Sequence, residues 1–98
     1  MAFTSVKDST GLLIQSSATM NASDQTIVLD PALARFWVHC LTTNTPMYFA
    51  AASAGGQPFT LVAGGTPIEF RLPELAGQSL TFNAATGTVE IIQELLHH

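Results

Sequence analysis

Apolar and polar residues alternate along this chain in short runs, and Gly, Pro, Asn and Asp separate the runs. Alternation with a period of two is typical of strands that bury one face. The pattern predicts about nine strands and no long helix. They are Ala2 to Lys7, Leu12 to Thr19, Thr26 to Leu29, Arg35 to Thr42, Met47 to Ala51, Phe59 to Ala63, Pro67 to Leu72, Ser79 to Asn83 and Thr88 to Leu95. Turns about every ten residues predict an all-β fold, either an antiparallel β-sandwich or a partly closed barrel of about eight or nine short strands.

One connection has the composition of a tight turn. Ala63-Gly64-Gly65-Thr66 separates two apolar runs, and its two glycines can take the positive φ angles of a short hairpin loop. We therefore expect the strands on either side to form a β-hairpin. In the second of these strands, Glu69 and Arg71 alternate with apolar residues, so this charged pair should point to solvent.

Three further connections have recognisable chemistry. Asp30-Pro31-Ala32-Leu33 offers an acidic cap followed by proline, and Leu72 to Gly77 offers a proline followed by a terminating glycine. Each segment allows a single helical turn between strands. Pro46 cannot donate a ladder hydrogen bond, so it should lie at the start of its strand.

The two ends of the chain leave alternatives open. A length of 98 residues predicts one all-β domain over residues 1–98. Residues 1–25 are rich in Ser, Thr and Met and carry no charge between Asp8 and Asp24, so they form either an extended N-terminal arm or the first strands. The terminal pair His97-His98 is either native or a designed addition, and no function is assigned to it.

The low charge content is the most informative feature of the composition. Charged residues make up 10% of the chain, against about 25% in typical soluble domains, while apolar residues stand at 47%. Small residues, above all Ala and Thr, replace the missing charge. Interface cores are depleted in charge in the same way. The composition therefore favours a chain that assembles with its neighbours over a monomer with a neutral, Thr-rich surface.

Charge and hydropathy also argue against two classes of partner. The net charge is −4, and only Lys7, Arg35 and Arg71 are fixed cations, so there is no basic patch for nucleic acid. No stretch approaches the roughly 20 apolar residues that span a bilayer, and the N-terminus does not match a signal peptide. We expect a soluble protein that is not exported and has no membrane partner. The single cysteine, Cys40, suits a reducing compartment.

The residues that enzyme chemistry requires are scarce. Acid-base catalysis needs at least two titratable groups that meet in a pocket. His39 lies in an alternating strand with Trp37 and Leu41 on its own side, whereas Cys40 points to the opposite face. The two residues therefore cannot act as base and nucleophile within that strand. A cysteine enzyme is not expected.

Other candidate sites are equally weak. Glu90 with Glu94, and Glu69 with Glu74, are carboxylate pairs that a glycosidase could use, but their polar neighbours indicate solvent-facing residues. No internal His, Cys or Asp pattern matches a zinc or calcium site. The two Gly-Gly pairs precede no helix that could bind phosphate. The chain is predicted to be non-enzymatic, with no catalytic residues, no cofactor and no metal.

Three aromatic residues, Trp37, Tyr48 and Phe49, could form a platform on which a sugar stacks. Trp37 stands in an apolar strand, where tryptophan is more often part of the core, so we expect it to be buried. A receptor- or carbohydrate-binding β-sandwich module remains an alternative. It requires Trp37 or Tyr48 to be exposed beside polar side chains.

About the last 65 residues follow a recurring order of strands and turns. The order begins at Phe36-Trp37-Val38, continues through Met47 to Ala50 and Phe59 to Phe70, and closes with Leu80 to Ala84 and the hairpin Ala85 to Ile92. In this respect the chain resembles small β-sandwich virion proteins of tailed bacteriophages.

The resemblance implies a virion structural protein, most specifically a capsid cement or decoration protein that binds and stabilises neighbouring capsid subunits. Its partners would be the major capsid protein or other virion subunits. It would form a homo-oligomer, such as a trimer, on the capsid surface after synthesis in the host cytoplasm. A head-tail connector or tail component is the alternative within the same class. An N-terminal arm could attach by adding a strand to a neighbouring sheet.

Overall fold

Antiparallel strands in two sheets make up the fold. The computed structural model describes residues 3–49 and 59–96. The strands are β1 (Thr4–Lys7), β2 (Leu13–Thr19), β3 (Gln25–Val28), β4 (Leu33–Cys40), β5 (Thr45–Phe49), β6 (Phe59–Leu61), β7 (Ile68–Phe70), β8 (Ser79–Phe82) and β9 (Thr88–Leu95). Within those residues the one helical element is a 3-10 turn, Pro73–Leu75. The predicted all-β fold is confirmed, and its form is a sandwich because the sheets do not close into a barrel.

The order of strands places distant parts of the chain side by side. The five-stranded sheet has the order β1-β2-β9-β4-β7, and the four-stranded sheet has the order β3-β8-β5-β6. All neighbouring strands are antiparallel. Strand β9 lies at the centre of the larger sheet, where Ile92 is opposite Gln15 of β2 and Trp37 of β4. Because side chains alternate along a strand, each sheet has one face toward the other sheet and one outer face.

The core lies between the two sheets. Both sheets contribute side chains that are wholly or almost wholly buried, and each of these stabilises the fold by about 1.5–3 kcal/mol relative to an exposed position. The five-stranded sheet contributes Leu33, Phe36, Val38, Cys40, Val89 and Ile91, and the four-stranded sheet contributes Met47, Leu61, Leu80 and Phe82. The alternating pattern in the sequence is the direct cause of this one-sided burial.

The connection from Ala63 to Thr66 is not a hairpin, and that prediction was wrong. Strand β6 pairs with β5 in the four-stranded sheet, whereas β7 pairs with β4 in the five-stranded sheet, so the connection crosses between sheets. The Gly64 N–H donates to the carbonyl of Cys40 at 3.1 Å, and the Ala63 N–H donates to Asn44 Oδ1 at 2.8 Å. The connection thus forms an arch between the two sheets. These two hydrogen bonds attach the arch to the end of β4 and to the loop that follows it.

The other connections agree more closely with the sequence. The 3-10 turn Pro73–Leu75 ends before Gly77, which has a φ of +77° as a terminating glycine requires. No helix forms after Asp30; the Leu33 N–H instead donates to the Asp30 carbonyl at 3.0 Å in a β-turn. Pro46 is the second residue of β5. In the N-terminal segment, β1 and β2 are paired strands of the five-stranded sheet, with β1 at its edge.

Candidate binding faces

The two sheets differ in charge. All nine strands lie within the described residues, and the strands of the four-stranded sheet contain no Asp, Glu, Lys, Arg or His. The strands of the five-stranded sheet contain all the acidic and basic strand residues and the one strand histidine, namely Lys7, Arg35, His39, Glu69, Glu90 and Glu94. The charge deficit of the composition is therefore concentrated on one side of the sandwich.

The outer face of the four-stranded sheet is named here the neutral face. Its central row runs from Thr26 through Thr81 to Tyr48. The hydroxyls of Thr26 and Thr81 are 3.1 Å apart, a cross-strand hydrogen bond in which one hydroxyl donates to the other. Thr26 is exposed, whereas Thr81 is fully buried. Val28 at one edge is 62% exposed, and Thr60 at the other edge is also exposed. This face combines small hydroxyl side chains with a tyrosine and an exposed valine.

The outer face of the five-stranded sheet is named the charged face. Its middle row crosses all five strands and contains Val6, Gln15, Ile92, Trp37 and Glu69. The row on one side contains Leu13, Glu94 and Arg35, and the row on the other side contains Ser17, Glu90 and His39. Charged groups thus lie around Ile92 and Trp37, the two apolar residues at the centre of the face.

Trp37 lies on the charged face and is half-buried, which corrects the expectation that it belongs to the core. Its neighbours Phe36 and Val38 are fully buried between the sheets, so alternation directs the indole outward. The guanidinium carbon of Arg35 lies 4.9 Å from the ring centroid, a cation–π contact. Alternation in the sequence separates Trp37 from Phe36 and Val38, but it does not say which of the two faces meets the other sheet.

Arg35 joins the charged groups into one network. Its Nη1 donates to Glu69 Oε2 at 2.8 Å, and its Nε donates to Glu94 Oε1. Arg71 also donates to Glu69 Oε2 at 2.8 Å. The two guanidinium groups, first Arg71 and then Arg35, hold the pKa of Glu69 below its ordinary value. The charges of this network compensate one another, and Glu69 and Arg71 point outward as predicted.

An apolar trough crosses the charged face. One depression of about 230 Å³ is lined by Val6, Lys7, Asp8, Leu13, Gln15 and Ile92. A second depression of about 330 Å³ is lined by Leu13, Trp37, Pro67 and Ile92. Because Leu13 and Ile92 line both depressions, they form one continuous trough. Its surface is mostly apolar.

The candidate catalytic residues are placed as follows. His39 is half-buried on the charged face, and its Nδ1 lies 3.8 Å from Glu90 Oε1. Cys40 is buried between the sheets, on the opposite side of β4 from His39. Glu94 is bound to Arg35, and Glu74 is exposed on the 3-10 turn. No nucleophile and base are brought together by this arrangement among the described residues.

The aromatic platform does not assemble from the three residues considered. Trp37 lies on the charged face and Tyr48 on the neutral face, so the thickness of the sandwich separates them. Phe49 lies on the inner side of β5 and contacts Phe70 edge-on, with ring centroids 6.2 Å apart. Any stacking site on the charged face would therefore depend on Trp37.

Residues 3–49 and 59–96 contain no candidate metal centre and no membrane-spanning helix. No group of three or more His, Cys, Asp or Glu side chains is arranged to hold a metal there. No helix in this part of the chain is long and apolar enough to cross a membrane. Gly55-Gly56 and His97-His98 lie outside the described residues.

Comparison with known proteins identifies no family. No protein-family model matches the chain, and neither does any curated protein. Among solved structures, the chain is similar to the EutQ protein of Clostridium difficile, with a TM-score of 0.60 and 8% identity over 95% of this chain. It spans 66% of that EutQ chain.

A second similar structure is a domain of a protein of unknown function from Vibrio parahaemolyticus. The TM-score is 0.52 and the identity 9%, over 95% of this chain and 98% of the other. At such low identities the similarity extends to the fold alone.

Proposed function

We propose that this chain is a non-enzymatic structural protein that attaches to other subunits of a larger assembly through the neutral face. The observation that carries the proposal is the absence of charged residues from all four described strands of the smaller sheet.

The physical reason lies in the cost of removing water. A charged side chain loses a strong hydration shell when a partner covers it. The free-energy cost of this desolvation is much larger than the cost of covering a hydroxyl or an apolar group. On the neutral face the exposed Thr26 hydroxyl is already hydrogen-bonded to the buried Thr81 hydroxyl, so a partner that covers this pair has one O–H donor left to satisfy. Tyr48 and Val28 supply apolar area for the contact. Tyrosine is also enriched in interface cores.

The specific form that we propose is a capsid cement or decoration protein on a phage virion. It rests on the resemblance to small β-sandwich virion proteins, together with the neutral face. The chain would bind the major capsid protein or other virion subunits as a homo-oligomer on the capsid surface. A head-tail connector or tail component would use the same neutral face against different subunits.

The test places a charge on the neutral face and a matched charge on the opposite face. Thr60→Lys adds a cation to the exposed outer side of β6, and Thr19→Lys adds the same cation to an exposed position of β2. Virions from the source of the chain are sedimented through a density gradient with each purified variant. Sedimentation velocity of the free proteins reports self-association. We expect Thr60→Lys to lose virion binding and Thr19→Lys to retain it.

Two results would contradict the proposal. One is a wild-type chain that is monomeric and does not sediment with virions. The other is Thr60→Lys binding as well as the wild type while Thr19→Lys does not, which would move the attachment to the charged face. Circular dichroism of both variants controls for folding.

A carbohydrate- or receptor-binding module is the second candidate. The observation that favours this class is the outward position of the half-buried Trp37 beside the polar side chains of Arg35 and Glu69. Because Trp37 is the single tryptophan of the sequence, its fluorescence reports on this face directly. A saturable change on titration with neutral or acidic oligosaccharides would favour the module. An unchanged spectrum at millimolar sugar would count against it.

A further inference from the structure

The outer edge of strand β3 carries main-chain groups that have no hydrogen-bond partner. The Leu29 N–H donates to the Gln78 carbonyl at 2.9 Å, and the Leu29 carbonyl accepts from the Gly77 N–H at 3.0 Å, so both groups of Leu29 point toward the chain that enters β8. In an antiparallel pair the main-chain groups of successive residues point to opposite sides of the strand. The N–H and C=O groups of Thr26 and Val28 therefore point away from β8, and no described residue hydrogen-bonds to them.

Strand β3 also lacks the features that protect an edge strand against further pairing, which are charged side chains, proline or a very short strand. Among the other described edge strands, β1 contains Lys7, β7 contains Glu69, and β6 and β7 have three residues each. Strand β3, Gln25–Val28, contains neither a charge nor a proline. Its outer side chains, Thr26 and Val28, are exposed and β-branched. An extended strand is therefore the occupant whose chemistry fits this edge.

The spacing of the unpartnered groups makes the edge complementary to itself. When two copies of β3 run antiparallel about a two-fold axis at Ile27, Thr26 of one copy lies opposite Val28 of the other. These are the two residues whose main-chain groups point outward, so each such pair exchanges two hydrogen bonds, and the symmetry gives four in all. Every unpartnered main-chain group of the edge is then satisfied. On the neutral face the β-branched side chains of the two copies pack side by side across the junction.

The nearest charges lie beyond the ends of β3 and are hydrogen-bonded within their own chain. The Asn83 side-chain amide donates to Asp24 Oδ1 at 2.7 Å, and Asp30 Oδ1 accepts from the Ala32 N–H at 2.8 Å. Beyond β3 the chain turns toward the larger sheet, where the Asp30 N–H donates to Gln93 Oε1 at 2.8 Å. The two-fold register brings Asp24 of one copy toward Asp30 of the other. These carboxylates oppose the pairing through a repulsion that salt screens, and they take no part in the four hydrogen bonds.

We propose that β3 pairs with β3 of a second copy of this chain, antiparallel and centred on Ile27, to form a symmetric dimer. The two four-stranded sheets then join into one sheet of eight strands. Because opposite residues direct their side chains to the same side, the two neutral faces lie on one side of that sheet and form a continuous surface. The dimer supplies one contact of the homo-oligomer in the proposed function, but it forms from the free chain without any other subunit.

Sedimentation velocity of the full chain between about 5 µM and about 500 µM measures the dimer, since small interfaces of this kind are weak. Val28→Pro removes an outward N–H from each copy, and so two of the four hydrogen bonds, while the ladder between β3 and β8 keeps its donors. We expect a reversible monomer–dimer equilibrium for the wild type and dimerisation at least about tenfold weaker for Val28→Pro. Asp30→Asn keeps the acceptor for Ala32 and removes the repulsion, so it should tighten the dimer at least about twofold at low salt.

Two variants control for the location. Lys7→Pro places the same residue on the edge strand of the larger sheet, where the Lys7 N–H also points outward because the neighbouring Asp8 N–H donates to the Leu13 carbonyl at 3.0 Å. Thr60→Lys changes the neutral face on β6, at the opposite edge of the smaller sheet from β3. Both should dimerise within about twofold of the wild type. Circular dichroism shows whether each variant is folded.

Amide hydrogen exchange of the wild type tests the register without any variant. The N–H groups of Thr26 and Val28 should exchange about tenfold more slowly at a concentration where nine-tenths of the chain is dimeric than in the dilute monomer. The N–H of Ile27 points toward β8 and should be protected at both concentrations.

Any of four results would overturn the proposal. They are a wild type that stays monomeric over this range, a Val28→Pro dimer as tight as that of the wild type, loss of the dimer in Lys7→Pro or Thr60→Lys, and Thr26 and Val28 amides that exchange equally fast at both concentrations. A weaker dimer in Asp30→Asn would contradict the register. A monomeric chain that still sediments with virions would overturn the dimer and leave attachment through the neutral face in place, whereas a dimer that does not sediment with virions would do the reverse.

Discussion

At the scale of single residues, Asp8 organises the turn between β1 and β2. Its carboxylate accepts hydrogen bonds from the Thr10 hydroxyl, 2.8 Å from Oδ1, and from the Leu13 N–H at 3.2 Å. The hydroxyl of Thr10, as the largest influence, lowers the pKa of Asp8 from its ordinary value. Gly11 completes the turn with a φ of +73°. The edge strand β1 is thereby closed onto its own sheet, which opposes its release as a free arm.

The first prediction concerns the pH dependence of this turn. Because the pKa of Asp8 is lower in the folded chain than in the unfolded chain, its contribution to stability is present above the unfolded value and is lost as pH falls through the folded value. Thr10→Ala should raise the pKa of Asp8 toward its ordinary value of about 3.9. Carbon-detected NMR titration of the carboxyl measures this, with Thr4→Ala as the control. An unchanged Asp8 pKa in Thr10→Ala would contradict the assignment.

The placement of Trp37 shows what the sequence could and could not predict for a single residue. Alternation along β4 assigns Trp37 and Phe36 to opposite faces, and the sequence predicted that separation for the neighbouring His39 and Cys40 correctly. Large apolar side chains occur on both faces of this strand, however, so the sequence does not say which face meets the other sheet. The strands that pack opposite decide it, and they lie far away in the chain.

At the scale of elements, the sequence located all nine strands to within about two residues for most of their ends, because each strand buries one face. It failed at the arch between β6 and β7. Two apolar runs around Gly64 and Gly65 have the same composition whether their strands pair with each other or with strands of different sheets. The bond from Gly64 to the Cys40 carbonyl, which favours the arch, is not visible from sequence.

The second prediction compares the glycines of two connections. Gly64 has a φ of +73° and open space where a Cβ would lie, so Gly64→Ala should cost about 1 kcal/mol of backbone strain. Gly87 has a φ of +104°, and a Cβ there would lie 3.1 Å from Thr43 Cβ. Gly87→Ala should therefore cost more, about 2–3 kcal/mol. Urea denaturation measures the free energy of unfolding of both variants. Equal losses of stability would show that the loop containing Thr43 moves to make room for the new Cβ.

At the scale of the whole molecule, the segregation of charge is the property that the sequence could not supply. The low total charge was evident from composition, and it favoured assembly. Which face lacks charge depends on strand order, since β3, β5, β6 and β8 come together from separate parts of the chain. The trough likewise joins Val6, Leu13, Ile92, Trp37 and Pro67 from five different stretches. Non-local pairing brings such sites together, and no local pattern records it.

The last prediction uses the labelling rate of Cys40 to measure the free energy needed to open the sandwich. Its side chain is 1% exposed in a central strand, and it is the single cysteine of the sequence, so a thiol reagent labels it only when the sandwich opens. A stability of about 5 kcal/mol slows labelling by roughly 10³–10⁴-fold relative to the unfolded chain. Ile91 and Ile92 are neighbours on β9 with opposite environments, 0% and 37% exposed respectively.

Ile91→Val should cost about 0.5–1.5 kcal/mol and accelerate labelling about two- to twelvefold, because it leaves a cavity between the sheets. Ile92→Val removes the same methyl group from the charged face and should change the rate by less than about twofold, since surface changes fall within ±0.5 kcal/mol. The reagent 5,5′-dithiobis(2-nitrobenzoate) follows both rates by absorbance. Equal acceleration by the two variants would mean that the charged face is covered by another copy of the chain in solution. Rapid labelling of the wild type would mean that Cys40 becomes accessible through a local opening of β4.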